Sequence, residues 1–419
     1  MTTADVASPA AAADAVRFLG KEPAYWRLRI KGAALVALTL GLYRFWFATD
    51  VRRYLWSSTE IAGDTLEYSG LATELLGGFL LAVAILVPLY TAIASIALAL
   101  DTAEVAISAV AFVLLVLLGE FALYRARRYR LTRTVFRGVR FDQHGSAWRY
   151  ALYALVWWTL IIVTLGLAYP FAQASLQRFK MRHTCYGDLA GEFVGSGLAL
   201  FLRGAPIWLL VVAPVIVALL SLAVMIDWDG LNNARMRGDS DAVTSIMGAF
   251  LNHGFGVVAT AVGISIAAAV LLYPFFQATV LRWWISGLRF GAMTVTSRLR
   301  TAQVYRVYLR FIGFVVLFML LVAAGATLAG FALGALIARH HGAAFSDLGT
   351  SAITLGLYVV VALGVSTIYQ VAVTFAMWRL GVQTAELAGA DALDSVRASG
   401  AASSALGEGL ADALGVGGI

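Results

Sequence analysis

The sequence predicts an all-α, polytopic helical membrane protein that is built from internal repeats. Three observations lead to this prediction. The chain of 419 residues is 61% hydrophobic and only 13% charged, whereas soluble domains carry about a quarter charged residues. Its apolar residues are gathered into uncharged runs longer than the roughly 20 residues that cross a bilayer core as a helix. One polar motif recurs between these runs, which is typical of repeated membrane units.

The chain contains eight hydrophobic segments, and we expect six to eight of them to cross the membrane. Two of them carry a charge: segment one, 32–49, contains Arg44, and segment three, 105–124, contains Glu120 about one turn from its end. An arginine at such a position can extend its long side chain to a headgroup. The other six carry no charged residue and show no polar helical face. These are 75–100, 150–177, 204–226, 254–281, 311–338 and 348–378.

The two ends of the chain differ from the predicted membrane domain at 17–380. Residues 1–16 lack the basic start and apolar block of a secretory signal, and we expect a disordered lead. Residues 381–419 are rich in Ala, Gly and Ser. This composition predicts a flexible tail, with at most a short helix over 382–393. The single cysteine, Cys185, excludes an intramolecular disulfide.

Four passages share the recurring motif: the first at 39–68, the second at 164–193, the third at 271–291 and the fourth at 127–138. The first two begin with Thr-Leu-Gly-Leu and align without gaps at a shift of 125 residues. The second and third share Tyr-Pro-Phe-x-Gln-Ala, and the fourth aligns with the first at a shift of 75. The matching positions are Arg53, Tyr54, Thr59, Arg128, Tyr129, Pro170, Gln173, Arg178, Phe179, Thr184, Pro274, Gln277, Arg282 and Trp283.

The motif has the chemistry of a membrane–water boundary. Proline removes a backbone donor, so Pro170 and Pro274 are predicted to end or bend a membrane helix near the interface. Aromatic rings favour the headgroup zone, and arginine reaches the phosphates beyond it. The Thr and Gly positions that follow are predicted to turn the chain back toward the next segment. Two roles remain open: a structural interfacial anchor, or a surface that binds a lipid headgroup or another ligand.

The sequence leaves three arrangements of the motif passages open. If all eight segments cross, the Lys and Arg residues divide almost evenly between the two sides. If segments one and four enter and return, or lie in the interface, all 31 Lys and Arg residues except Arg235, Arg237 and Arg339 share one side, which would be cytoplasmic. If segment four crosses, the first and third passages face opposite sides, as in the inverted repeats of many transporters.

The quoted passages resemble the YjgN family of bacterial inner-membrane proteins. The likeness is carried by "FLGKEPAYWRLRIKGAALVALTLGLYRFWFATDVRRYLWSSTEIAGDTLEYSG", by the second passage and by "WWISGLRFG" in the third. It covers about 16–380. The family is defined by a domain of unknown function, so the resemblance implies an inner-membrane location and transfers no catalytic residue.

No constellation in the sequence requires catalysis. The zinc-protease, phosphate-loop and nucleophile-elbow motifs are absent from the sequence. The pairs His183/Cys185 and His340/His341 lack nearby partners for a metal, so we expect no cofactor and no enzyme. Among polar residues within the apolar segments, Glu120 is the main candidate for proton transfer or for pairing with an arginine. The alternative is that its side chain only reaches to the membrane interface. The other polar candidates are Asn252, His253, Gln173, Gln277 and Gln370.

Two functions remain open at this stage. The first is transport, or the handling of a small molecule or lipid, by a repeat-built membrane bundle. The second is a non-transporting scaffold of membrane organisation or of the envelope, which binds lipids or partner proteins through the motif. The expected partners are membrane lipids and an unidentified substrate or protein, without nucleic acid. The net charge of +7 lies beside membrane segments, where anionic lipids would attract it.

Overall fold

The computed structural model describes residues 16–100, 104–226, 228–340, 343–398 and 404–416. The predicted disordered lead lies outside these ranges except for its last residue, and so do Asp227 and His341. Helices dominate the described chain, which confirms the predicted class. Six helical stretches are long and apolar enough to span a membrane: Ala72–Ala99, Val105–Thr132, Gly197–Met225, Ser240–Ser286, Thr301–Ala332 and Ser351–Gln383.

The helices are numbered in chain order. They are α1 Glu22–Leu38, α2 Arg44–Ser57, α3 Ala72–Ala99, α4 Glu104–Thr132, α5 Ala147–Val163, α6 Tyr169–Arg182, α7 Gly197–Met225, α8 Trp228–Met236, α9 Ser240–Ser286, α10 Thr301–His340, α11 Ala343–Tyr369, α12 Ala376–Gln383 and α13 Leu406–Ala413. A π-helix at Gln370–Phe375 joins α11 to α12. A short 3-10 helix at Ala390–Leu393 follows the last strand.

Short strands, which the sequence reading did not predict, connect the helices at one end of the molecule. They are β1 Val16–Phe18, β2 Thr59–Ile61, β3 Asp64–Thr65, β4 Glu67–Tyr68, β5 Thr134–Phe136, β6 Val139–Gln143, β7 Thr184–Tyr186, β8 Leu189–Phe193, β9 Leu288–Phe290, β10 Met293–Ser297 and β11 Ala385–Ala388. The first three form one antiparallel sheet, and β4 to β11 pair in sequence order in a second. Only Leu66 separates β3 from β4, and β1 lies beside β11. We call this nearly closed circle the strand ring.

The motif passages build the strand ring because each of their helices ends in a β-hairpin. Thr59, Thr134 and Thr184 close the ends of α2, α4 and α6 by donating to the carbonyl four residues earlier, at 2.8, 2.9 and 2.8 Å. The hairpin turns then use left-handed residues, such as Gly63 at φ 87° and Gly138 at φ 74°, which glycine adopts at little cost. The hairpins lie where the sequence predicts that the Thr and Gly positions turn the chain back.

Thr-Leu-Gly-Leu is a helix-reversal turn with the same hydrogen bonds in both passages. Thr39 donates to the carbonyl of Leu35 at 2.7 Å and accepts from the amide of Tyr43 at 2.9 Å. Thr164, 125 residues later, makes the equivalent bonds at 2.7 and 3.0 Å. One threonine thus bonds the end of one helix and the amide of the residue just before the next helix. The α1–α2 and α5–α6 pairs are therefore helical hairpins.

These hairpins decide which end of the molecule each motif passage occupies. The α5–α6 pair leaves the strand ring after β6 and returns to it at β7, and these two strands pair with each other. With 17 residues, α5 is about 25 Å long, shorter than the roughly 30 Å bilayer core. Segment four therefore begins and ends at the strand ring and does not carry the chain to the other end of the molecule. All four passages share one end, so the inverted and eight-crossing arrangements are wrong.

The prediction that Pro170 and Pro274 end a helix is wrong, whereas a bend at Pro274 stays a prediction. Pro170 does not end a helix but lies in the first turn of α6, where its missing amide costs nothing. Pro274 lies inside the continuous helix α9. The same Tyr-Pro-Phe-x-Gln-Ala string therefore starts one helix and continues another. The difference comes from the preceding residues: a reversal turn at Gly166 in one case, and an apolar helical run in the other.

The described part of the predicted flexible tail also differs from expectation. Residues 385–388 add β11 to the edge of the sheet. The helix α13 packs against α3 and α4. The close approach relies on glycine, because a Cβ on Gly409 would lie 1.9 Å from the backbone of Gly78. Small residues thus dock this segment by close backbone packing, although their composition is typical of a linker.

The spanning helices follow one another around the same circle as the strands. Neighbours in sequence contact each other, and α11 contacts α1. The apolar windows of the spans are barely buried, at 0 to 11%. Most of their apolar surface is therefore left uncovered by the described chain.

Candidate functional site

A largely apolar cavity of about 530 Å³ lies inside the strand ring. Its wall comes from inward-facing side chains of the strands and from side chains of α9, the π-helix and α12. We call it the ring cavity. The lining residues are Val16, Thr59, Ile61, Phe136, Phe141, Tyr186, Gln277, Leu281, Trp284, Ile285, Leu288, Phe290, Met293, Val295, Thr374, Met377, Trp378, Gly381, Val382, Ala385, Leu387 and Leu393.

Alternation along the strands explains why the ring cavity is apolar. Phe136 of β5 and Tyr186 of β7 line the cavity and are each 2% exposed. Phe141 of β6 also lines it and is half-buried. Their rings pack together, with centroids 4.7 Å apart for Phe141 and Tyr186. Because successive side chains of a strand face opposite sides, short strands of period two place one apolar residue after another on the inner wall.

Three polar side chains of the wall are engaged within the protein. Tyr186 donates to the carbonyl of Phe136 at 2.9 Å, and burial raises the pKa of its hydroxyl, which stays neutral. Thr59 accepts from the indole of Trp378 at 3.2 Å. The amide of Gln277 donates to the hydroxyl of Tyr273 at 2.6 Å. The wall therefore offers a ligand mainly apolar contact, which suits a hydrocarbon chain.

The π-helix is the irregular element next to the ring cavity. It contributes Thr374 to the lining. Its Phe375 is buried and stacks on Tyr25 of α1 at 4.5 Å, while Val371 joins the same cluster. A π-helix carries a wider turn than an α-helix and is often found at functional sites. Here α1 and α2 hold it in place.

The segment after β11 covers the side of the ring cavity away from the membrane. Leu393 inserts among the ring side chains. Arg137 ties the segment down by pairing with Asp64 and Asp394, both at 2.6 Å. The amide of Arg397 donates to Asp188 at 3.1 Å. Residues that the composition predicted to be a tail thus form part of the wall of the ring cavity.

The predicted motif arginines make structural bonds. Arg53 donates to the carbonyl of Gly70 at 3.1 Å, and Arg178 donates to that of Gly195 at 3.0 Å. These equivalent bonds fix the start of the following helix. Arg282 donates to the hydroxyl of Thr301 at 3.3 Å with the same effect.

The aromatic motif residues and the other arginine also pack within the protein. Tyr54 donates to the carbonyl of Lys21 at 2.7 Å, and Tyr129 donates to Glu74 at 2.8 Å. Trp283 donates to the carbonyl of Ser196 at 3.0 Å. Arg128 and Gln173 are half-buried in α4 and α6. These contacts show the structural role of the motif, and lipid contact stays a prediction.

The remaining polar candidates do not form one site. Glu120 accepts from the indole of Trp158 at 2.7 Å and so links α4 to α5; no arginine pairs with it among the described residues. Asn252 and His253 are exposed on α9. Gln370 lies by a second, smaller cavity of about 290 Å³ near Arg52 and Glu408. In the described ranges, no three His, Cys, Asp or Glu side chains are grouped to hold a metal.

The sequence reading missed the ring cavity, although a signal for its wall was present. Ala62-Gly63 and Arg137-Gly138 are flanked by β-branched and aromatic residues, as two-residue hairpin turns are. The family model described as "Bacterial protein of unknown function (DUF898)" matches residues 13–413. No curated protein and no solved structure matches the chain.

Proposed function

We propose, from the premise that this chain belongs to the bacterial family of unknown function DUF898, that it is an inner-membrane protein that binds the apolar chain of a lipid or similar molecule in its ring cavity. The YjgN family is this same family, so the resemblance found in the sequence is confirmed at the level of the family. The chain is a multi-pass membrane protein. Its location in the inner membrane, its ligand and its internal duplication belong to the proposal.

One observation carries the proposal: an apolar cavity of about 530 Å³ lies where the helices leave the membrane. Its volume falls within the roughly 300–1,000 Å³ of small-molecule sites. The spans leading to it are covered mainly by lipid, because no more than 11% of any apolar window is buried. A lipid chain therefore has a short apolar route to the ring cavity from between the helices.

Lipid handling fits this geometry better than the transport of a polar solute. The ring cavity lies at one end of the spans, and Tyr186 and Thr59 in its wall are hydrogen-bonded within the protein. The passages share one end, whereas inverted repeats would place a substrate site at mid-membrane. The proposal includes no catalytic step. A scaffold role remains the alternative, supported by the exposed arginines that surround the ring.

The charge distribution supports a cytoplasmic strand ring. With all passages at one end, Arg235, Arg237 and Arg339 are the exceptions among 31 Lys and Arg residues. Arg235 belongs to α8, which follows the far end of α7. Positive residues gather on the cytoplasmic side of a bacterial inner membrane.

The test uses a photoreactive fatty acid with a diazirine in its chain. We expect cross-links within 281–297 and 374–387 of the purified protein. Gly381→Leu should reduce them at least about fivefold by filling the ring cavity, since a lost apolar contact of one side chain is worth about 1 kcal/mol or more. A Cβ on Gly381 meets only Ile285, at 3.9 Å, so the larger side chain can enter the cavity without a backbone clash.

Gly313→Leu is the matched control, because a Cβ on Gly313 of α10 meets nothing within 4 Å. It adds the same atoms on a spanning helix outside the ring cavity. Equal labelling of both variants and the wild type, or cross-links confined to the spans, would overturn the proposal.

A further inference from the structure

A second feature, outside the ring cavity, is a groove on the outer surface between α5 and α6. It has a volume of about 480 Å³. Its lining includes Arg149, Arg178, Arg182, Tyr153, Phe179 and His183. We call it the basic groove. Three of these six side chains are guanidinium groups of exposed residues.

The positive charge of the basic groove is not balanced from within the protein. Among the residues that the structure describes, no carboxylate lies within 4 Å of the guanidinium groups of Arg149, Arg178 or Arg182. Arg178 uses one nitrogen to donate to the carbonyl of Gly195 at 3.0 Å. This bond holds its guanidinium in place and leaves its other donors for a ligand.

Aromatic rings give the basic groove a firm apolar side. The rings of Tyr153 and Phe179 have centroids 6.1 Å apart, and those of Phe179 and His183 are 4.6 Å apart. Nδ1 of His183 lies 2.7 Å from the carbonyl of Phe179, which fixes the imidazole. Arginines beside aromatic rings are the combination found where a membrane protein meets the headgroup layer.

The groove also lies at the border of the lipid-covered surface. Beyond Tyr153, which is 39% exposed, α5 presents Val156, Leu160 and Val163, which are 57, 42 and 73% exposed. Such an apolar outer face requires lipid beside it. The basic groove therefore lies within reach of headgroups.

The first motif passage provides an internal comparison. At a shift of 125 residues it forms a related groove of about 720 Å³, also lined by an arginine and an aromatic ring, Arg53 and Tyr54. Ala24 and Ser57 occupy the places of Arg149 and Arg182, and Asp50 also lines this groove. The backbone of such a groove therefore forms without arginines at the positions of Arg149 and Arg182.

We propose that the basic groove binds the phosphate group of an anionic ligand, which its position assigns to the headgroup of an anionic phospholipid. Arginine suits this group because its fork of donors matches phosphate oxygens. The site uses residues other than those of the ring cavity, so it stands whether or not that cavity holds a lipid.

The test measures phosphatidylglycerol and phosphatidylcholine binding to the full-length protein in detergent by native mass spectrometry. Arg149→Gln with Arg182→Gln should weaken phosphatidylglycerol binding about thirtyfold and change phosphatidylcholine binding little, since each arginine near anionic lipid contributes roughly fivefold. Arg27→Gln with Lys31→Gln removes the same charge from exposed positions of α1 and should leave binding unchanged.

A parallel arm separates a lipid phosphate from a free one. In this arm, the thermal stability of each protein is measured with inorganic phosphate. If phosphate stabilises the wild type but not the Arg149/Arg182 variant, and phosphatidylglycerol does not bind selectively, the phosphate site is retained but its assignment to lipid is wrong. The proposal is wrong if the Arg149/Arg182 and Arg27/Lys31 variants lose phosphatidylglycerol binding equally. It is also wrong if neither phosphatidylglycerol nor inorganic phosphate binds the Arg149/Arg182 variant differently from the wild type. Adding Ala24→Arg with Ser57→Arg to the first groove should increase phosphatidylglycerol binding.

Discussion

At the scale of single residues, a buried ion pair links α2 to the C-terminal helix α13. The C-terminal helix α13 inserts Glu408 beside Arg52 of α2, and their side chains are 8% and 5% exposed. Arg130 lies 3.7 Å from the same carboxylate. Arg52 also donates to the hydroxyl of Tyr68 at 3.1 Å. Buried charges are tolerated when they are paired and hydrogen-bonded in this way.

Removing the carboxylate of Glu408 should destabilise the protein. We expect Glu408→Gln to lower the free energy of unfolding by about 3–5 kcal/mol, because Arg52 stays buried without its counter-charge. Chemical denaturation in mild detergent measures this change. The control is Asp412→Asn: its pair with Arg44 is 37–40% exposed, so we expect only about 0–1 kcal/mol. Losses of the same size in both variants would contradict the buried-pair argument.

Helix reversal is the main structural device at the scale of elements. Leu165 and Gly166 take left-handed conformations at φ 50° and 92°, as Leu40 and Gly41 do at 49° and 93°. A leucine in this region is strained, yet it places an apolar side chain at the tip, where Leu165 is 72% exposed. Lipid contact at the tip is consistent with a helical hairpin that enters the membrane and returns.

Glycine is needed at the second left-handed position of this turn. We expect Gly166→Ala to destabilise the protein by about 1–2 kcal/mol through backbone strain, since the nearest atom to its Cβ is an ordinary 3.5 Å away. Gly313→Ala, in the interior of α10, should be neutral or stabilising by about 0.5 kcal/mol. Thermal unfolding of both variants in detergent tests this, and a smaller loss at Gly166 than at Gly313 would refute it.

The shared end of all motif passages is the main feature of the whole molecule. Strand pairing, rather than hydropathy, establishes it, because β4 to β11 pair in sequence order across intervening spans. The first and the last strand, β1 and β11, also lie at this end.

Labelling from either side of the membrane can check this arrangement. With Cys185 replaced by Ala, we expect Arg140→Cys and Glu192→Cys to react with an impermeant maleimide in inverted inner-membrane vesicles. These residues lie in β6 and β8 and are exposed. Met236→Cys, 79% exposed at the end of α8, should react from the opposite side. Reaction of Arg140→Cys and Glu192→Cys from opposite sides would refute the arrangement.

The sequence located the spans closely, since 75–100 and 204–226 lie largely within α3 and α7. It also identified two equivalent pairs, Thr59 with Thr184 and Arg53 with Arg178. In the structure, the two members of each pair make the same hydrogen bond. It did not predict the strands, because segments of two to five residues carry too few side chains to show a period.

The sequence by itself determined the class of protein and the positions of its membrane segments, because hydrophobicity adds up residue by residue along a helix. Only the tertiary structure decided that the hairpins join into a ring, that the ring encloses a cavity and that the Gly-rich end docks against α3 and α4. Each of these features depends on contacts between distant residues, such as Glu67 with Val135 and Arg52 with Glu408. Such contacts depend on where the folded chain brings surfaces together, which local composition does not record.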